Sequence, residues 1–251
     1  MRIAAWFLLA ALPVWGQSME GLLRYADPAG GAWVGVEWAK IAGTPHAGML
    51  RATFAEQWAD TKGLEFIERL DRLLVSATPA PEGTALLMVI EGTLDLGQLR
   101  DAARKQNAQV RRHKSAELLL APPGGDSMDF AILSPGTVAL GDRTQLAAAV
   151  DRAERPLDPR LERVREIAQR ADVWSLGSFE VFSEAGASRL IAALRRHQGD
   201  ALARQMAEAI DAGQRGGALE LAFSLKAPEP PRKLTIRIHG LETGPREIEF
   251  R

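Results

Sequence analysis

The feature that most constrains the fold is the order in which strand-like and helix-like stretches follow one another, because the same order occurs twice. Ala32-Trp33-Val34-Gly35-Val36-Glu37-Trp38 reads as a strand, and a helical region follows over 39–58. Gly63 breaks it, and Leu64-Glu65-Phe66-Ile67-Glu68-Arg69-Leu70 reads as a second helix, its apolar residues at i, i+2, i+3 and i+6. Strands over 72–78 and 84–91 come next, joined by the turn Pro79-Ala80-Pro81-Glu82-Gly83. From Asp172 the pattern restarts. Asp172-Val173-Trp174-Ser175-Leu176-Gly177-Ser178-Phe179 matches the first strand in its tryptophan, glycine and terminal aromatic. A helical region over 184–210, interrupted at Gly199, leads to strands over 218–225 and 233–239, with Ala227-Pro228-Glu229-Pro230-Pro231 between them.

This order predicts an α+β fold, a duplicated β-α-α-β-β unit whose mainly antiparallel sheet or sheets are covered by helices. The repeat units lie near 32–150 and 171–251. Chance similarity within any α+β chain is the competing account. The corresponding division is an N-terminal segment 17–31, a first α+β half 32–157 and a second half 158–251, which can form one continuous domain.

Between the repeats, Asp95 with Gln98 three positions on has the form of a helix start, and the helix runs to about Asn107. Strand material follows over 110–121. Pro122-Pro123-Gly124-Gly125-Asp126 makes a turn, and short strands over 128–133 and 137–140 flank Ser134-Pro135-Gly136. Asp142 with Gln145 repeats the capping pattern. Asp158-Pro159 opens a further helix, proline at its first position and Leu161, Val164, Ala168 and Ala171 on one face.

The first sixteen residues read as a signal peptide, removed near Gly16-Gln17. Arg2 supplies the positive start, residues 3–12 are apolar and uncharged, Pro13 ends the run, and Val14-Trp15-Gly16 suits a cleavage site. Ten apolar residues are too few to cross a bilayer, which takes roughly 20. A buried first strand or helix of the mature fold is the alternative. Position 17 is Gln, so no lipobox cysteine follows, and charges interrupt every later apolar run. The expectation is an exported bacterial protein, periplasmic or secreted, soluble and without a transmembrane span.

Lys and Arg number 31 against 32 Asp and Glu. That balance argues against nucleic acid as a general partner, which would require a basic surplus. The chain is free of cysteine, which removes disulfides, thiolate metal sites, iron–sulfur clusters and thiol nucleophiles together. The core alone must hold it, and 46% apolar residues supply one.

Chemical signatures are absent from the sequence. His46, His113, His197 and His239 are each isolated, with no chelating pair among them. Neither a G-x-S-x-G elbow nor an S-x-x-K pair occurs. Phosphate-loop and dinucleotide fingerprints are missing too, Gly30-Gly31 preceding a strand where the latter would follow one. Glu37, Asp129, Glu180 and Glu220 are carboxylates without a legible pairing. The sequence therefore nominates no catalytic residue, metal ligand or cofactor.

The strongest polar feature is a cationic cluster, Arg104, Lys105, Arg111, Arg112, His113 and Lys114. It could attract an anionic partner such as a lipid headgroup or an acidic glycan. Equally, it could be an edge strand guarded by charge, and strand alternation would separate Arg111 and His113 from Arg112 and Lys114. Trp33, Trp38, Trp58 and Trp174 could line a ligand pocket or pack the core.

The stretch Phe130-Ala131-Ile132-Leu133-Ser134-Pro135-Gly136-Thr137-Val138-Ala139-Leu140-Gly141-Asp142, with its helix ending Ala149-Val150-Asp151-Arg152, resembles uncharacterised exported bacterial α+β proteins. They carry the same strand, turn, strand, Gly-Asp, helix module. The resemblance covers about a fifth of the chain, is structural, and implies export and an α+β setting with no catalytic residues.

Three functional readings remain open. The first is a non-enzymatic binding or structural module of the cell envelope or extracellular space, acting on an envelope protein, lipid or glycan. The second is an exported hydrolase with a dispersed site. The third is a carrier of an apolar ligand.

Overall fold

The computed structural model describes residues 19–43, 66–81, 83–123 and 128–177, helical positions 192, 195, 200, 204, 207 and 208, and segments 218–225, 234–239 and 246–250. It is an α+β fold built on one antiparallel sheet. Its strands are β1 (Ala32–Val36), β2 (Ile67–Ala80), β3 (Gly83–Leu94), β4 (Gln109–His113), β5 (Ala116–Leu120), β6 (Asp129–Ser134), β7 (Thr137–Gly141), β8 (Val173–Gly177), β9 (Ala218–Leu225), β10 (Leu234–His239) and β11 (Arg246–Phe250). Their spatial order is β11-β10-β9-β8-β1-β2-β3-β7-β6-β5-β4. Helices α1 (Met19–Leu23), α2 (Trp38–Ile41), α3 (Leu96–Lys105), α4 (Arg143–Ala153) and α5 (Glu162–Arg170) cover it.

Over β1–β3 and β5–β8 the sheet carries buried residues on both faces, and adjacent residues serve opposite faces as the pleat requires. Leu118 and Leu120 face one core while Leu119 between them faces the other. Ala139 likewise opposes Val138 and Leu140, and Trp174 opposes Val173. The first core is closed by α1, α4 and α5 through Leu22, Leu23, Leu146, Ala149, Val164 and Ile167. The second is closed by α2, Phe66 and α3 through Trp38, Ile41, Leu99 and Ala103.

The anticipated caps form. Asp95 accepts from the Gln98 backbone N–H at 2.8 Å and Asp142 from that of Thr144 at 2.8 Å. Asp158 accepts from Arg160 N at 2.9 Å, with Pro159 opening the 3-10 turn Pro159–Leu161 ahead of α5. The Asp95 N–H itself donates to Phe66 O at 2.7 Å, so it is not available to the Gln98 side chain.

Two sequence expectations change. The helix read over Leu64–Leu70 is strand from Ile67 onward, where Ile67, Arg69 and Leu70 pair with Leu94, Thr93 and Gly92. Its apolar spacing suited either state, and long-range pairing decided it. The register shifts there, and Gly92 is needed because a Cβ would stand 1.9 Å from Arg69 O. The strand material read over 110–121 divides into the hairpin β4–β5, turned by Lys114 at φ 52°. β11 was not legible as a strand. The 39–58 helical region retains α2 at its start, and the 184–210 region is helical at each of the six described positions. Residues 42 and 43 form a turn after α2; residues 44–58, the other positions of 184–210 and the proline turn at 227–231 lie outside the described residues. No helix among the described residues is long and apolar enough to cross a membrane.

Candidate functional site

The structure distributes the cationic segment instead of gathering it. β4 is the end strand of the described sheet, paired with β5 from Gln109↔Leu120 to His113↔Ala116. Since opposed residues share a face, Gln109, Arg111 and His113 lie on the Leu118 face with α4, and Val110 and Arg112 on the Leu119 face with α3. His113 Nε2 is 3.0 Å from Asp151 Oδ1 on α4. Lys114 turns back to the same side, its Nζ 2.7 Å from Asp151 and 2.9 Å from Glu154. Hydrogen bonds from Lys114 and then His113 lower the Asp151 pKa, and those that Lys114 donates to Asp151 and Glu154 raise its own. Arg104 and Lys105 end α3, where Arg104 pairs with Asp101. Among the described residues, Lys105, Arg111 and Arg112 form no ion pair.

A groove of about 620 Å³ opens between α3 and the β4–β6 end of the sheet, lined by Leu96, Val110, Arg112, Ile132 and Pro135 among others. Arg100 of α3 clamps Glu117 of β5 there through Nε and Nη2 at 2.8 to 3.2 Å. The Arg100 hydrogen bonds lower the Glu117 pKa, and the Arg112 charge adds to the effect.

A second groove, of about 640 Å³, lies where the segment after α1 meets the end of α4 and the 3-10 turn. Four arginines line it: Arg24, Arg152, Arg155 and Arg160. Arg152 is half-buried, and its Nε and Nη2 donate to Tyr25 O at 3.2 and 2.9 Å. Burial pulls its pKa below the usual arginine value, partly offset by the charges of Asp27 and Asp151. Those carboxylates are committed elsewhere. Asp27 accepts from Thr78 Oγ1 at 2.9 Å, Ala29 N at 3.0 Å and Gln145 Nε2 at 3.4 Å, while Asp151 holds His113 and Lys114. Arg160 is closed on Asp158 by two side-chain hydrogen bonds of 3.0 and 2.9 Å. Arg24 and Arg155 are exposed and form no ion pair among the described residues. The groove thus presents one anchored guanidinium together with two arginines that form no ion pair among the described residues, and Asp27, Asp151 and Asp158 line it beside them.

Besides Asp151 and Glu154 on Lys114, the described carboxylates bring together a buried pair. Glu37 and Asp172, each 7% exposed, flank the β1–β8 seam, where Glu37 N donates to Asp172 O at 2.7 Å. Lys40 joins them, its Nζ 2.6 Å from Glu37 Oε2 and 3.3 Å from Asp172 Oδ1. Burial opposes the Lys40 charge, but the two carboxylates outweigh it and raise its pKa. Asp129 has a structural role: it accepts from Ala121 N at 2.6 Å and Arg143 Nε at 3.1 Å, tying β6 to the end of β5. Among the described residues no three His, Asp or Glu converge to hold a metal ion.

Of the tryptophans, Trp38 and Trp174 are core, and Trp33 is partly buried with Nε1 donating to Asp27 O at 3.1 Å. Trp58, His46, His197 and Glu180 lie outside the described residues. The arginine groove left little trace in the sequence, since Arg24 is far along the chain from the others. The available signal was Arg152, Arg155 and Arg160 around Pro156, which follows α4, and Pro159, which opens the 3-10 turn.

No family model matches the chain, and no curated protein matches it. Crystal form I of TP0453 is similar with a TM-score of 0.49 and 11% identity, over 89% of this chain and 79% of that one. Crystal form III has a TM-score of 0.45 and 10% identity, over 86% and 77%. This is a weak structural resemblance without functional content.

Proposed function

We propose that the chain is an exported, non-enzymatic binding module that holds an oxyanion of its partner, a phosphate or a carboxylate, in the arginine groove. The observation that carries this reading is Arg152. A half-buried guanidinium normally rests on a carboxylate, because removing a charge from water is costly without a paired counter-charge. Arg152 rests on a neutral carbonyl, and the nearby carboxylates bond to other groups. An arriving oxyanion would satisfy its remaining donors and meet Arg24 and Arg155 on either side, in the forked geometry that suits guanidinium.

The test is a thermal-shift and calorimetric titration of the full chain with inorganic phosphate, citrate and chloride. Phosphate or citrate should stabilise the protein where chloride at equal ionic strength does not. Arg152→Gln should abolish the effect. Because that change also removes the donors to Tyr25 O, Arg24→Ala/Arg155→Ala serves as a second variant that touches only exposed side chains, and it should weaken binding about tenfold. Equal responses to all three salts would reject the reading.

Export is compatible with the placement of α1. Met19, Leu22 and Leu23 are core residues that follow the cleavage site, so cleavage near Gly16-Gln17 would leave these three in the chain. Mass spectrometry of the chain recovered from a bacterial periplasm or culture medium should find Gln17 at its N-terminus; an intact Met1 start would overturn this. The duplication is supported by pairing. β1 and β8 are antiparallel neighbours, and each continues outward into an antiparallel partner and then a second, β2–β3 and β9–β10. About a two-fold axis between Val34 and Ser175, Trp33 corresponds to Trp174. An experimental structure in which β1–β2–β3 and β8–β9–β10 do not superpose would reject it. The hydrolase reading has one observation in its favour, the Glu37–Asp172 pair; hydrolytic turnover lost in Glu37→Gln would establish it over the binding reading.

A further inference from the structure

We infer that the β4 edge is a docking strand for an extended acidic polypeptide, which adds to the sheet and seats its apolar side chains in the groove beside α3. This is independent of the arginine groove.

Three observations converge on β4. It ends the described strand order and, among the described residues, pairs with β5 alone, so every other residue turns its backbone N–H and C=O outward, a template for one more strand. Residues 109–112 are exposed, and Val110, at 55%, is among the most exposed large apolar side chains described. It borders the 620 Å³ groove whose apolar lining includes Leu96, Ile132 and Pro135. An edge defended only against aggregation has no need of an exposed valine beside an apolar groove.

Charge chooses the occupant. Arg111 stands on one face and Arg112 on the other, neither in an ion pair among the described residues, with Lys105 nearby in sequence on α3. The neighbouring carboxylate, Glu117, is already clamped by Arg100. A strand laid antiparallel to β4 with glutamates opposite Arg112 and Arg111 and a valine opposite Val110 would pair both cations and cover the apolar surface. A second copy of this chain fits badly, since edge-to-edge pairing would set arginines against arginines, and like charges directly opposed destabilise a sheet.

The experiment uses the full chain and a fluorescent peptide repeating Glu-Glu-Val, with a Lys-Lys-Val peptide as the charge-reversed probe. Fluorescence anisotropy should show binding of the first and not the second. Hydrogen exchange should slow at the outward amides within 109–113. Arg111→Glu/Arg112→Glu should weaken the acidic peptide by about tenfold or more and confer binding of the lysine peptide. That gain shows the variant is folded. Arg152→Gln should leave peptide binding unchanged, which separates this inference from the oxyanion reading. Failure of the acidic peptide to bind, equal binding of both peptides, or protection of 109–113 that arises from self-association in sedimentation would each overturn the proposal.

Discussion

The indole of Trp174 occupies the space that any side chain at Gly35 would need. The two residues are direct partners across the β1–β8 ladder, and a Cβ at position 35 would lie 2.2 Å from Trp174 Cε2. Trp174 is fully buried, so the ring has nowhere to retreat. Gly35→Ala should therefore overpack the first core and cost about 3 kcal/mol in urea unfolding, at the upper end of overpacking penalties. Trp174→Leu in the same chain should recover part of that loss, because the smaller side chain vacates the space. Additive losses in the double variant would show that the contact is not the cause.

Arg72 and Glu91 face each other between β2 and β3, Nη1 2.7 Å from Oε1, each side chain less than a fifth exposed. Glu91 Oε2 is buried without a partner. Removing one member of such a pair leaves the other charge stranded, whereas replacing both with apolar groups avoids that penalty. Arg72→Met should cost about 3 kcal/mol, and Arg72→Met/Glu91→Met should be more stable than the single variant. Chemical denaturation of the set decides this; a double variant less stable than the single would contradict it.

What the sequence revealed and what it hid follow from the range of the interactions involved. Asp95, Asp142 and Asp158 were legible as helix starts because a cap is bonded within three residues of its own position. The β2–β3 hairpin was legible from its proline turn. Residues 67–70 were read as helix because four residues of mixed spacing do not distinguish the periods, and pairing with 92–94 settles the matter from afar. The turn at Lys114 was missed because a positive φ is uncommon outside glycine. The same turn sends Lys114 to the His113 side, where strand alternation had placed it with Arg112. The arginine groove joins Arg24 to residues 152–160 and the carboxylate pair joins Glu37 to Asp172. Neither has a local pattern to betray it.

Asp158 offers a check on the rim of the arginine groove that can be read residue by residue. Its carboxylate accepts hydrogen bonds from the Arg160 side chain and then its backbone N–H, which lower its pKa from 3.8 to about 2. A depressed folded-state value means the unfolded chain takes up the proton first. The contribution is present in full above about pH 4 and is lost as the pH falls through about 2. An NMR titration of the Asp158 carboxyl should give a midpoint near 2, and Arg160→Gln should move it back toward 3.8. A midpoint near 3.8 in the unaltered chain would mean that Arg160 does not hold this position in solution and is free to join Arg24 and Arg155.

Leu23 is wholly inaccessible and belongs with Leu22 and Met19 to the core closed by α4 and α5. The helix α1 that carries it has five residues, too few to be stable alone, so tertiary packing must hold it. Leu23→Ala should then cost about 3 kcal/mol, the transfer loss of the side chain plus the cavity it leaves. Tyr25 lies two residues beyond the end of α1, and its carbonyl anchors Arg152, so loosening α1 should also weaken phosphate binding. A chain that starts at Gln17 should by contrast unfold at the same urea concentration as the full-length form, because every core residue of α1 is retained. Equal stabilities for Leu23→Ala and the unaltered chain would show that α1 is not part of the cooperative unit and that the arginine groove is not anchored through it.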